Sequence, residues 1–137
     1  MKVEHEREIK DMERKENKPF VVLCTSGLGA PANARSALMF SAIAATMGCR
    51  TVLYLVQDGV DLMAKGAVER EPGVKPGMPT LKQRLQEAID AGVEFQVCSQ
   101  TCANKGLGQD DLIPQATITG AATLVDLTLD SSGFLAF

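Results

Sequence analysis

The stretch "FVVLCTSGLGAPANARSALMFSAIAATMGCRTVLYLVQDG", residues 20–59, decides the fold. Phe20 to Thr25 is an unbroken apolar run, as expected of a strand buried on both faces and lying at or near the centre of a sheet. A helical segment follows, with Pro31 suited to its first turn and Gly48 to the position just past its end. Leu38, Ser41, Ala42 and Ala45 fall on one stripe of small residues that permits close approach to a sheet. Thr51 to Gly59 is a second strand, turned by Asp58-Gly59. Strand, helix and strand in this order make a parallel βαβ unit.

The pattern continues outward. Val60 to Val68 reads as a short helix or turn, and "REPGVKPGMP" (70–79), with three prolines and two glycines, as an irregular, mobile loop. Thr80 caps an amphipathic helix that ends at Gly92. Val93 to Cys98 is a third strand, Ala116 to Thr119 a fourth, Gly120 to Asp130 a helix and Gly133 to Phe137 a last strand. The expectation is an α/β fold: a single three-layer α/β/α domain, residues 19–137, with a mainly parallel five-stranded sheet.

Residues 1–18 stand apart, with twelve charged side chains, six of each sign. Glu6 with Lys10 and Asp11 with Lys15 are acid-before-base pairs at helical spacing. The segment reads as a charged tail or solvated helix, with a docking arm against a neighbouring subunit as the alternative.

A length of 137 residues suits one domain, and 45% hydrophobic residues suffice for a core that must be mostly aliphatic, since Trp is absent. A net charge of −3 gives no basic field, so nucleic acid is a poor partner. The longest apolar run, Ala37 to Met47, is far short of the roughly 20 residues that span a bilayer. No apolar segment follows the N-terminal charges as in a secretory signal, which predicts a cytoplasmic protein whose four cysteines are thiols. The single histidine, His5, lies far from the cysteines, so no metal site is expected. "GLGAPA" (27–32) formally matches a dinucleotide fingerprint, but Pro31 sits where backbone donors should face a pyrophosphate, and no acid ends the second strand before Asp58.

The chemistry points to "VCSQTCANKG", residues 97–106. Cys98 ends a parallel strand, where α/β sheets bind ligands, and begins a turn or helix whose free N–H groups favour a thiolate. Cys102 lies one helical turn on, Ser99 and Thr101 offer hydroxyls, and Lys105, curled back, would offer positive charge. Cys49 reads as structural; Cys24, ending the first strand, is either structural or a second thiol in the same crevice.

Over roughly residues 19–137 the sequence resembles the DsrE/DsrF-like family of small sulfur-relay proteins, and in particular its DsrE3-type branch. Residues 20–60 resemble its first strand, alanine-rich helix and second strand, and the stretch from Val93 its cysteine-bearing segment, with Gly106 and "DDLI" (110–113) fitting the pattern after the cysteine. The resemblance implies a DsrE/YchN-like fold assembled as homotrimers or homohexamers. It also implies a sulfur carrier or sulfurtransferase that takes sulfane sulfur on Cys98, as a persulfide or thiosulfonate, and passes it to a partner thiol. Donors and acceptors would be rhodanese-like or TusA-like carriers, thiosulfate or polysulfide. Many relatives have methionine where this chain has Cys102, so a second sulfur-handling thiol is a departure. Two other readings stand beside this one: a C-x-x-x-C dithiol redox module, and a ligand-binding or structural oligomer with incidental cysteines.

Overall fold

In the computed structural model, described for residues 2–137 and for the side chains of all of these but residues 10–17, ten elements alternate along the chain. They are α1 (Lys2–Asn17), β1 (Phe20–Cys24), α2 (Pro31–Thr46), β2 (Thr51–Leu55), α3 (Leu81–Asp90), β3 (Glu94–Cys98), α4 (Ser99–Lys105), β4 (Ala116–Thr119), α5 (Ala121–Leu129) and β5 (Gly133–Ala136). The charged N-terminus is thus helical, and the Glu6–Lys10 and Asp11–Lys15 pairs lie outside the described residues.

The strands form one five-stranded sheet in the order β4-β3-β2-β1-β5, every pairing parallel. β2 is central and buried along its whole length, and β1 lies beside it. From β1 to β4 the chain steps always in one direction, so right-handed crossovers put α2, α3 and α4 on one face. The step from β4 to β5 runs back across the sheet, and the same handedness sends α5 to the other face.

Strand alternation divides the core. Val22, Cys24, Leu53, Leu55, Phe95 and Val97 join Ala34, Ala37, Leu38, Leu81, Leu85 and Ala88 in an aliphatic cluster beneath α2 and α3. Fully burying each Val or Leu here stabilises the fold by about 1.5–3 kcal/mol. The stripe on α2 includes Leu38 and Ser41 as expected, but centres on Ala34, Ala37 and Ala44, with Ala42 and Ala45 only partly covered. Val21, Val52, Tyr54, Gln96 and Cys98 take the alternate positions and face the α5 side.

The helix ends follow the sequence signals. Pro31 opens α2, and Gly48 takes the left-handed φ of 92° just past its end. Thr80 accepts a hydrogen bond from the Gln83 N–H, and the Gln83 side chain accepts one from the Thr80 N–H, which closes a capping box. β2 stops at Leu55, earlier than expected. Gln57 turns the chain with a φ of 52°, and residues Gln57–Met63 wind into 3₁₀ turns. The proline-rich loop is tied at its base by Glu71, whose side chain, 2% exposed, accepts from the Leu81 N–H at 2.6 Å and from Arg35 at 3.1 Å.

Candidate functional site

Cys98 is the last residue of β3 and the N-cap of α4. Its strand position pairs it with Thr119 of β4 and puts its side chain on the face shared by Tyr54 and Gln96. Only 6% of the residue is exposed. Burial pushes the Cys98 thiol up. The Thr101 N–H and hydroxyl, the Gln100 N–H and the Tyr54 hydroxyl outweigh that burial as donors to the sulfur, and the thiol lies below its ordinary value. A lowered value raises the share of Cys98 in the nucleophilic thiolate form relative to an ordinary thiol.

These donors are themselves held. Thr101 is buried, and its hydroxyl oxygen accepts the Gln57 N–H at 3.1 Å, which leaves the hydroxyl proton to point at the sulfur. Gln57 adopts a left-handed conformation, a strain of order 1–3 kcal/mol, and so aims its N–H at α4 rather than along the sheet. Tyr54 is fully buried and donates to the Gly120 carbonyl at 2.8 Å, with the Thr119 carbonyl at 3.3 Å.

The remaining cysteines differ. All four are free thiols. Cys102 sits one turn along α4 but belongs to the aliphatic cluster, and burial, followed by the negative charge of Cys98, pushes its thiol up. Cys24 shares its strand edge with Cys98 but lies on the opposite face, where it donates to the Ser26 carbonyl at 3.2 Å; burial pushes it up as well. The structure therefore does not bring Cys24 into the Cys98 crevice. Cys49 lies at the other end of the strands, just before β2.

The Lys105 ammonium is ion-paired to Asp61 at 3.1 Å and to Asp58 at 3.5 Å. Ser99 is exposed. Tyr54 and Gln57 were not legible as site residues. The available signal was the isolated tyrosine, the chain's single one, inside the apolar run of the second strand.

The first glycine of "GLGAPA" has a local explanation. A Cβ on Gly27 would run into the Asp58 carbonyl, and one on Gly59 into the Cys24 carbonyl, so the loops after β1 and β2 dovetail backbone to backbone. Among the described residues no three His, Cys, Asp or Glu side chains converge as metal ligands, and no helix is long and apolar enough to cross a membrane. A surface hollow of about 750 Å³ between the Val74–Pro79 loop and α3 holds none of the four cysteines.

Comparison with known proteins gives concordant results. The chain is 28% identical over 126 residues to the uncharacterized protein MJ0760 of Methanocaldococcus jannaschii, covering 86% of this chain and 45% of that one. It thus spans less than half the length of that relative. It is also 28% identical over 118 residues to the uncharacterized protein MJ0989 of the same organism, covering 86% of this chain and 98% of that one. Among solved structures, the ychN protein from E. coli superposes with a TM-score of 0.71 at 19% identity, covering 88% of this chain and 99% of that one. A protein of unknown function from Bacteroides thetaiotaomicron, BT1422, gives 0.64 at 14% identity over 90% and 97%. These likenesses establish the fold, with its parallel five-stranded sheet and flanking helices. The model of one family matches residues 18–137, which is everything after the charged helix, and on that match the chain belongs to the DsrE/DsrF-like family.

Proposed function

We propose that the protein is a sulfur carrier of the DsrE3 type, or a sulfurtransferase, that accepts sulfane sulfur on Cys98 and hands it to a partner thiol. The observation that supports this reading is the convergence of donors from Gln100, Thr101 and Tyr54 on one sulfur, while burial holds Cys24 and Cys102 protonated.

The chemistry is exchange at sulfur. The Cys98 thiolate attacks the outer sulfur of a donor persulfide; the new S–S bond forms as the donor's S–S bond breaks, and the donor leaves as a thiolate that takes up a proton. With thiosulfate the leaving group is sulfite. In the second half, an acceptor thiolate attacks the outer sulfur of the Cys98 persulfide, and the Cys98 thiolate leaves. Neither half needs an external oxidant or reductant, nor a metal or organic cofactor. Rhodanese-like or TusA-like carriers in a cytoplasmic relay are suitable partners for both halves.

A homotrimer or homohexamer belongs to the same reading. Val125, Leu129, Phe134 and Leu135 are exposed, Leu129 to 77%, and no side chain of α5 is buried. β5 is an edge strand, which tends to be covered in a stable protein.

The deciding experiment is incubation with polysulfide or thiosulfate, followed by mass spectrometry without reductant. One added sulfur atom on the Cys98 peptide, transferable to an acceptor thiol and absent in Cys98→Ser, is the expected result. Full loading of Cys98→Ser would overturn the assignment.

A further inference from the structure

We infer that Tyr54 is a positioning residue for the Cys98 sulfur anion, its single hydroxyl proton exchanging between the Gly120 carbonyl and the sulfur. The inference rests on Cys98 being the reactive sulfur, as in the reading above, but not on what Cys98 carries.

Tyr54 is fully buried in the central strand, so its hydroxyl has no water to turn to. It has one proton to donate. The Gly120 carbonyl takes that proton at 2.8 Å, with the Thr119 carbonyl at 3.3 Å as a weaker second acceptor. Thr119 is the β4 partner of Cys98, and Gly120 follows it as the N-cap of α5, so the hydroxyl lies at the β4 end in register with Cys98, on the face the two side chains share, where it also serves the sulfur as a donor. A neutral thiol is a weak acceptor and leaves the proton with Gly120. An anionic sulfur is a far stronger one, because bonds to charged groups are about twice as strong as neutral ones. Thr101 accepts the Gln57 N–H on its oxygen, which leaves its proton free to stay on the sulfur in both states. Tyr54 is therefore the member of the cluster whose bonding changes with the charge on Cys98, and the change reaches the backbone at the start of α5.

The titratable groups around Cys98 are few. β2 contributes Tyr54 and α4 contributes Cys102, while Thr119 of β4 carries no charge. Lys105 of α4 is ion-paired to Asp58 and Asp61 of the turns after β2.

The test follows Cys98 by its pH-dependent alkylation rate, read on its own peptide. Tyr54→Phe keeps the ring and removes the proton. The midpoint for Cys98 is expected to rise by about one pH unit, which lowers the thiolate fraction at neutral pH about tenfold. Because Tyr54 is the chain's single tyrosine, growth on 3-fluorotyrosine alters this site alone. The more acidic phenol is a stronger donor and should move the Cys98 midpoint down. Its fluorine resonance should titrate with that midpoint and lose this titration in Cys98→Ser. A purely structural Tyr54 would lower the melting temperature of Tyr54→Phe, leave the alkylation midpoint in place and give a flat fluorine signal through the Cys98 titration. That outcome overturns the inference. If Tyr54→Phe does not fold, the fluorinated protein decides alone: an unmoved midpoint with a flat fluorine signal rejects the exchange. Failure of sulfur loading with these shifts present would reject the carrier reading and leave Tyr54's role intact.

Discussion

Cys24 and Cys98 each end a strand at the same edge of the sheet, yet they point to opposite faces. Cys24 is in register with Leu55 and Leu55 with Val97, so Cys24 shares its face with Val97, and Cys98, one residue on, faces away. One thiol meets the aliphatic cluster and the other meets hydroxyl and N–H donors.

The first prediction is a separation in reactivity. In the native protein iodoacetamide should modify Cys98 well before Cys24 or Cys102. The direction follows from the shifts. A lowered value puts more Cys98 in the thiolate form at any pH below its ordinary value, so its rate should level off at a lower pH than that of an ordinary thiol. Cys24 and Cys102, raised by burial, should remain slow until higher pH or unfolding. Peptide mapping over a pH series checks this, and equal rates for Cys24 and Cys98 at pH 7 would contradict the placement of the two faces.

Cys102 is the next discriminator. Its thiol is packed into the cluster and held protonated, so Cys102→Ser should still load sulfur on Cys98 and pass it on, at an altered rate. The hydroxyl in an apolar site should cost about 1–2 kcal/mol of stability, measurable by urea unfolding. A dithiol couple would instead lose its function entirely in this variant, and its wild-type form would yield a Cys98–Cys102 disulfide under mild oxidation.

The order of strands and helices was legible because local periodicity and end signals agreed: the apolar run at Phe20, Pro31 and Gly48 around α2, Thr80 before α3. The place of Cys98 at the end of β3 was legible as well, since a polar segment after a strand marks a sheet's carboxyl edge. Its neighbours were not. Tyr54 lies 44 positions before Cys98 and meets it only because β2 and β3 are adjacent in a fixed register. The face of Cys24 depends on that same register through β1. Gln57's left-handed turn has no sequence signal, as glutamine ordinarily avoids that conformation.

Glu71 should carry much of the order of the proline-rich loop. Its carboxylate joins Arg35 of α2 to the first N–H of α3, and Glu71→Ala leaves that N–H and the guanidinium without their partner. The expected loss is about 2 kcal/mol, or roughly 7 °C in melting temperature. Thermolysin cleavage before Val74 should accelerate in the variant, while Cys98 loading is retained. Unchanged stability and cleavage would show that the loop does not depend on the clasp.

The glycines give the last prediction, because two readings of "GLGAPA" assign them different work. In a dinucleotide site the second glycine lets the backbone approach a pyrophosphate, so both Gly27 and Gly29 would be needed for binding. In this fold Gly27 is needed for a different reason: a Cβ there would press on the Asp58 carbonyl, and the reciprocal contact is made by Gly59 on the Cys24 carbonyl. Backbone cannot yield as a side chain can, so Gly27→Ala and Gly59→Ala should each cost about 2–3 kcal/mol. Both substitutions spread the loop that carries Gln57, and with it the N–H that fixes Thr101 against Cys98. Sulfur loading should therefore slow in proportion to the lost stability. Gly29 has open space around its missing Cβ and an ordinary backbone conformation, so Gly29→Ala should be close to neutral in both stability and loading. Thermal melts and loading rates of the three variants separate the cases. A Gly29→Ala protein that melts normally but loses a nucleotide-dependent property would restore the fingerprint, whereas loss confined to Gly27→Ala and Gly59→Ala assigns these glycines to the packing of two loops beneath the thiol site.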